Sequence, residues 1–221
     1  MSMTAYGSAG AKYLLIQPVD EHDLAELEAE LSAIRERVDE PFLLVPVPVT
    51  DWNDCLSPWP APPVFGKEGF GSGAAQTLRK IREETVPCLR QEYALPQDVR
   101  LILGGYSLAG LFALWGGHQT ADFCGIAAAS PSVWFPGFLD WTAQQPMQAK
   151  AVYLSLGDRE EKTRNPVMQK VGDCIRGLYA QYQEAPGLTA ALEWNEGNHF
   201  RDAGRRTAKA FAWTMEALKH G

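Results

Sequence analysis

The stretch Val99-Arg-Leu-Ile-Leu-Gly-Gly-Tyr-Ser-Leu-Ala-Gly-Leu-Phe-Ala-Leu-Trp115 places one serine, Ser107, between an apolar strand and a helix. A serine at such a junction stands on a sharp turn at the carboxyl end of the strand, a nucleophile elbow, with its hydroxyl exposed to a substrate. The next backbone N–H, that of Leu108, heads the helix and can stabilise a developing oxyanion. The chemistry this implies is acyl transfer to water. A tight strand-to-helix reversal wants small residues two before and two after the serine. Gly105 and Ala109 occupy those positions, and Gly110 follows. A phosphate-cradling loop is excluded, because Leu111 and Phe112 stand where such a loop needs lysine and a hydroxyl residue.

An activated serine needs a base, and the chain has 4 histidines. His22 lies in the acidic first turn of a helix and reads as a solvated surface residue. His118 closes the helix that Ser107 opens, far from the nucleophile, and reads as a positive charge at a helix C-terminus. His220 stands one residue from the chain end. His199 differs. It follows the strand-like Leu188–Trp194 in the loop Asn195-Glu-Gly-Asn-His-Phe200, ahead of a helix beginning near Arg201. In an open α/β sheet the loops at the carboxyl ends of strands gather on one edge, so His199 and Ser107 can converge there.

A third member is expected from a strand end between them, in the chain order serine, acid, histidine. Lys150–Gly157 reads as a buried strand, and Asp158-Arg-Glu-Glu161 follows it. One carboxylate would orient His199 and stabilise its imidazolium without taking the proton. The residues themselves leave all three open.

Four segments at characteristic spacing resemble the esterase-D-like branch of the α/β-hydrolases, which includes carboxylesterases and siderophore-ester hydrolases of the enterochelin esterase type. They are Gly104-Gly-Tyr-Ser-Leu-Ala-Gly-Leu111, Ala129-Ser-Pro-Ser-Val-Trp-Phe135, Leu156-Gly-Asp-Arg-Glu160 and Gly197-Asn-His-Phe200, and the similarity spans roughly residues 95 to 215. The resemblance implies an α/β-hydrolase fold and ester hydrolysis without metal or organic cofactor. In enterochelin-esterase relatives a glutamate stands three residues after the glycine that ends the acid strand. That position is Glu160 here, with Asp158 as second choice. Ala109 stands where the family usually has glycine, and the amino-terminal domain of some siderophore esterases has no counterpart. The resemblance therefore carries the reaction class and not a siderophore substrate.

Composition fits. The chain has 221 residues with 46% hydrophobic content, enough for one well-packed α/β domain spanning 1–221. Net charge of −7 and the lack of a basic patch argue against nucleic acid or an anionic membrane as partner. The expected partner is a small-molecule ester, and self-association is left open. Cys55, Cys88, Cys124 and Cys174 are scattered without metal-ligand spacing and read as reduced thiols of a cytoplasmic protein. Residues 1–11 lack the basic start and apolar segment of a signal peptide, and no apolar run reaches membrane-spanning length.

Strands and helices alternate along the chain, giving a doubly wound, mostly parallel sheet with helices on both faces and no large lid. Strands are expected at Tyr13–Ile16, Phe42–Val49, and near 99–104, 124–129, 150–156 and 188–194. Helices are expected at Asp20–Val38, at Leu78–Tyr93 with a kink or break at Pro87, and at Arg201–Lys219. Pro46 and Pro48 put their strand near an edge or its end.

Two long loops interrupt this pattern. The Pro- and Trp-rich segment Thr50–Gly71 follows the second strand, where the hydrolase architecture draws its second oxyanion N–H. Asp51 or Trp52 would supply it, Trp52 being preferred, with Asp51 facing the substrate pocket. Trp59 and Phe65 read equally as core cover or pocket lining. The segment Ser130–Trp141 starts beside the nucleophile strand, so Ser130 and Trp134, with Tyr106, are expected to reach the substrate. The reaction implied is acyl-enzyme formation on Ser107 with His199 as base. Alternatives are a thioesterase or deacetylase with the same site, or a hydrolase-fold binding protein without activity.

Overall fold

Six parallel strands and a short antiparallel one form a single sheet in the computed structural model, which describes residues 4–8, 10–64 and 66–219. Phe65 and His220 lie outside the described residues. The strands are β1 (Tyr6–Gly7), β2 (Tyr13–Val19), β3 (Phe42–Pro48), β4 (Arg100–Tyr106), β5 (Gly125–Ala129), β6 (Ala151–Gly157) and β7 (Thr189–Asn195). Their order in the sheet is β1-β3-β2-β4-β5-β6-β7. The chain moves outward from β2 to β3, then crosses to the other side of β2 at β4 and continues in that direction. That reversal opens a crevice at the carboxyl ends of β2 and β4, where α/β sheets bind ligands.

Alternation along the strands feeds two cores. Leu14 and Ile16 of β2 and Leu101 and Leu103 of β4 pack with Leu111 and Phe112 of α5 (Ser107–Gln119) and Ile175 and Leu178 of α7 (Val171–Glu184). Tyr13, Leu15 and Ile102 face the other way, onto Leu27, Leu31 and Ile34 of α1 (Glu21–Arg35) and Phe211 and Met215 of α8 (Ala203–Lys219). The period of two in a strand thus puts an apolar set on each face, and helices cover both. α5 is buried from Leu108 to His118, as the central helix behind the elbow must be.

Several local expectations change. The first strand runs on to Val19, and β1, only two residues long, pairs with Leu43 and Leu44 of β3. Phe42 O accepts from Ser8 N–H on the outer side of β3, whereas Val49 N–H donates inward to Val19 O. Pro46 and Pro48 share the outward parity and lie past Leu44, where β1 no longer pairs, so their missing N–H groups cost the sheet nothing. Pro87 neither breaks nor ends its helix. α3 (Ala74–Lys80) passes through a π-helical turn, Ile81–Thr85, into α4 (Val86–Glu92), and the wider turn makes room for the ring.

His118 is not a helix-end charge. It is buried, with Nδ1 3.0 Å from Gln145 O and Nε2 2.9 Å from the Tyr182 hydroxyl. Burial lowers its pKa to about 4, so it is neutral at pH 7 and serves packing. The loop after β3 forms a short α2 (Trp52–Cys55), and the loop after β5 forms α6 (Phe138–Thr142). Trp59 Nε1 donates to Pro136 O, and its ring lies against Phe135, Phe138 and Trp141, so Trp59 ties the two loops together as core cover. Among the described residues no helix is long and apolar enough to cross a membrane, and no group of three or more His, Cys, Asp and Glu could hold a metal ion.

Candidate active site

Ser107 sits at φ +55°, in the left-handed region that a residue with a side chain avoids. Such a conformation costs on the order of 1–3 kcal/mol and persists only where the surroundings impose it. Here the imposition comes from β4 turning directly into α5. A Cβ on Gly105 would lie 2.6 Å from the Ala109 Cβ, so the turn closes only with glycine at the first of these positions. Ala109, fully buried, fills the space that Gly105 leaves. As one of the first N–H groups of α5, that of Leu108 has no carbonyl one turn earlier to bond.

His199 reaches this turn from the loop after β7, with Nε2 3.0 Å from Ser107 Oγ. Its Nδ1 lies 2.7 Å from Glu160 Oε2. Glu160 is 4% exposed and folds back under the end of β6. Its Oε1 accepts from Gly157 N–H at 2.7 Å, Ser130 Oγ at 2.8 Å and Arg206 Nη1 at 3.0 Å. Burial pushes this carboxyl up, but the hydrogen bond from His199 and its charge when protonated, with the Gly157 and Ser130 donors, outweigh burial and hold it below its ordinary value. An ionised carboxylate only accepts, so Nδ1 carries the proton and Nε2 is left to accept from the Ser107 hydroxyl. Ser107, His199 and Glu160 therefore form one continuous hydrogen-bonded chain.

Asp158 stands elsewhere. It is exposed, and its Oδ1 accepts the Gly197 N–H at 2.8 Å, pinning the loop that carries His199. Glu161 pairs with Arg176 on the surface.

A cleft of about 700 Å³ opens over Ser107. Trp52, Phe70, Trp134, Met168 and Phe200 give it apolar walls, and Asn53, Ser132, Arg159, Lys162, Thr163 and Asn198 give it polar ones. Phe70 packs edge-on against Trp134, with ring centroids 6.0 Å apart. Phe200 is 90% exposed beside His199. Trp52 and Leu108 line the cleft together with Ser107.

Three residues expected to face the substrate do not line it. Asp51 caps α2, its side chain accepting the Asp54 N–H. The Tyr106 hydroxyl turns under the site to donate to His199 O at 2.7 Å, and burial, followed by the Glu160 charge, raises its pKa to about 12. Ser130, at φ +42°, turns inward to Glu160. The serine that does reach Ser107 is Ser132, whose Oγ lies 3.3 Å from Ser107 Oγ. It shares the Ser-Pro-Ser motif with Ser130, and the direction each one faces depends on the positive φ at Ser130. Arg206, on α8, carried no sequence signal.

No protein-family model and no curated protein matches the sequence. Solved structures do match in fold. The siderophore hydrolase EstA from Aspergillus nidulans superposes with a TM-score of 0.73 at 19% identity, over 98% of this chain and 94% of its own. An IroE-like serine hydrolase from Shewanella oneidensis gives 0.75 at 15% identity, over 93% of this chain and 71% of its own. The fold is that of the α/β-hydrolases. The enterobactin esterase FES from Shigella flexneri gives 0.67 at 15% identity over 97% of this chain, which spans 55% of that protein's length. These neighbours agree with the resemblance drawn from the four motifs, at the level of α/β-hydrolase architecture.

Proposed function

We propose that the protein is a serine hydrolase that cleaves carboxylic esters through an acyl-enzyme on Ser107. The observation that carries this reading is the continuous chain from Ser107 Oγ through His199 to Glu160 at the floor of the cleft. In the first step His199 Nε2 takes the hydroxyl proton as Ser107 Oγ attacks the ester carbonyl carbon. The Leu108 N–H, and a second from Trp52, hold the oxyanion. The tetrahedral species then collapses, and the imidazolium returns its proton to the departing alkoxide, which leaves as the alcohol. Water enters, His199 takes one of its protons, and the resulting attack frees the acid and restores Ser107. Glu160 holds the imidazole in the productive tautomer throughout and keeps its own charge. The steps need no metal or organic cofactor.

Esters with a flat or apolar portion suit the tryptophan and phenylalanine walls, and Arg159 and Lys162 suit polar or anionic substituents. Incubation with a fluorophosphonate followed by mass spectrometry tests the reading: one adduct is expected, on Ser107, and none in Ser107→Ala. Labelling elsewhere, or none on folded protein, would overturn it. p-Nitrophenyl esters of increasing chain length, beside acetylated sugars and siderophore lactones, then sort the substrate. The lactones are included because of the activities named for the structural neighbours.

A further inference from the structure

Among the described residues Arg206 is the one lysine or arginine that is buried, and no step above uses it. Its two terminal nitrogens serve different elements. Nη1 donates to Glu160 Oε1 at 3.0 Å, the Tyr106 hydroxyl at 3.1 Å and Ser130 Oγ at 3.2 Å. Nη2 donates to Glu196 O at 2.9 Å and Asn198 O at 3.1 Å, the two carbonyls that flank Gly197 in the histidine loop. One planar fork thus grips the acid with one arm and the loop of the base with the other.

We propose that Arg206 is a positioning residue that locks Glu160 to the His199 loop and shares the carboxylate's charge with His199, so that it sets the pH range over which His199 can act as base. The proposal rests on the esterase reading above. Its physical basis is the burial of both charges, with Arg206 and Glu160 side chains 3% and 1% exposed. Screening is weak there, and a charge on one partner is felt strongly by the other. With the guanidinium in place, Glu160 Oε1 is neutralised locally and only part of the carboxylate's attraction acts on the imidazolium. Without it, the whole negative charge acts on protonated His199 and favours the form that cannot take a proton. A lysine keeps the charge, but its single ammonium cannot span both arms.

Other ionisable groups near this cluster are buried or have partners of their own. Tyr106 from β4 and Tyr153 from β6 are raised by burial and stay neutral. Glu193 of β7 pairs with Lys209 of α8, and Glu196 pairs with Arg201. Asp158 bonds the Gly197 N–H, and from α1 Glu26 accepts the Gly204 N–H. Glu30, also on α1, lies near Gly204 and is raised to about 8, so it changes charge between pH 6 and 9, with Asp23 on the same helix raised to about 6 at the lower edge of that range. The comparison is therefore made in a Glu30→Gln background as well.

The test measures kcat/KM against pH, with a p-nitrophenyl ester, for the parent, Arg206→Met, Arg206→Lys, Glu160→Gln and the Arg206→Met/Glu160→Gln double variant. Arg206→Met is expected to move the acid limb upward by about one pH unit and to lower the plateau about 10- to 100-fold, as loss of a group that orients a functional one does. Arg206→Lys should return the limb to its parental position with the plateau only partly restored. In the Glu160→Gln background, removing Arg206 should cost less than about threefold, because the charge it acts through is gone. An unmoved limb in Arg206→Met, or an equal loss in both backgrounds, overturns the proposal and leaves Arg206 a scaffold residue. If Arg206→Met does not fold, the double variant, which buries no unpaired charge, decides against Glu160→Gln alone: a further loss well beyond about threefold leaves Arg206 a scaffold residue. A folded parent that turns over no ester and takes no fluorophosphonate overturns the esterase reading instead. NMR titration of the His199 imidazole, which must still move upward without the guanidinium, then tests Arg206 without turnover.

Discussion

Glu160 and Glu30 are both carboxylates at a few per cent exposure, one folded under the end of β6 and the other on the inner face of α1, and they are held in opposite charge states. Burial is the largest influence on each and pushes each up. Partners decide the outcome. Glu160 has an imidazole, a backbone N–H, a hydroxyl and a guanidinium around its two oxygens, and it ends below its ordinary value. Glu30 has the Gln17 amide at 3.3 Å and the repulsion of Asp23 and Glu26, and it is raised to about 8. Neither Glu30 Oε1 nor Gln17 Oε1 has a hydrogen-bond partner among the described residues. A neutral acid has an O–H to offer an amide carbonyl, whereas an ionised one has none. The same residue type, equally buried, is thus an ionised group where donors converge and a protonated packing group where they do not.

The sharpest way to break this comparison is to remove the charge of Glu160 while keeping its shape. Glu160→Gln is expected to lower kcat on the order of 10³- to 10⁴-fold, since an amide can present its N–H to His199 and favour the wrong tautomer. The fold should survive, as read by circular dichroism. A variant within tenfold of the parent would mean that Ser107 and His199 work as a dyad. The sign of the stability linkage follows from the lowered value: the contribution of Glu160 is present above the ordinary carboxylate pKa and is lost as pH falls through the folded one.

Glu30 runs the other way. A carboxyl raised from 4.5 to about 8 contributes stability that is full below pH 4.5 and is lost progressively as pH rises toward 8. Glu30→Gln mimics the protonated acid, so urea unfolding should give nearly equal stability at pH 4.5 and a variant more stable by several kcal/mol at pH 9. A difference that does not change with pH would show that Glu30 is ionised in the fold.

The convergence of Ser107 and His199 on one edge of the sheet was legible because it depends on local rules. A strand that turns directly into a helix forces a positive φ at the residue between, and loops at the carboxyl ends of parallel strands share an edge. The choice among Asp158, Glu160 and Glu161 was not legible from the residues themselves. What folds Glu160 inward is a set of donors distant in sequence, Ser130 and Arg206 being 30 and 46 residues away. Tyr106 and Ser130 stand at the expected strand ends but face inward, since a one-residue change in direction at a strained turn is invisible in composition. β1 leaves no trace in the sequence because two residues carry no periodicity, and the π-helical turn leaves none because a proline signals a broken hydrogen bond and not how the chain absorbs it.

Asp158 marks the smallest expected effect and sharpens the contrast with Glu160 most directly. It neighbours the site and was the alternative acid, yet its Oδ1 is engaged with the Gly197 N–H at 2.8 Å and not with the imidazole. That contact asks only for an acceptor. Asparagine supplies one through its amide oxygen at nearly the same position, so Asp158→Asn should stay within about tenfold of the parent in kcat/KM, whereas Asp158→Ala, which frees the Gly197 N–H and loosens the loop, should fall further. Parallel kinetics of the two variants and of Glu160→Gln read the difference between a residue that holds the loop and one that holds the imidazole. If Asp158→Asn proves as crippled as Glu160→Gln, the charge and not the acceptor matters at position 158, and the division of labour between these two carboxylates is wrong.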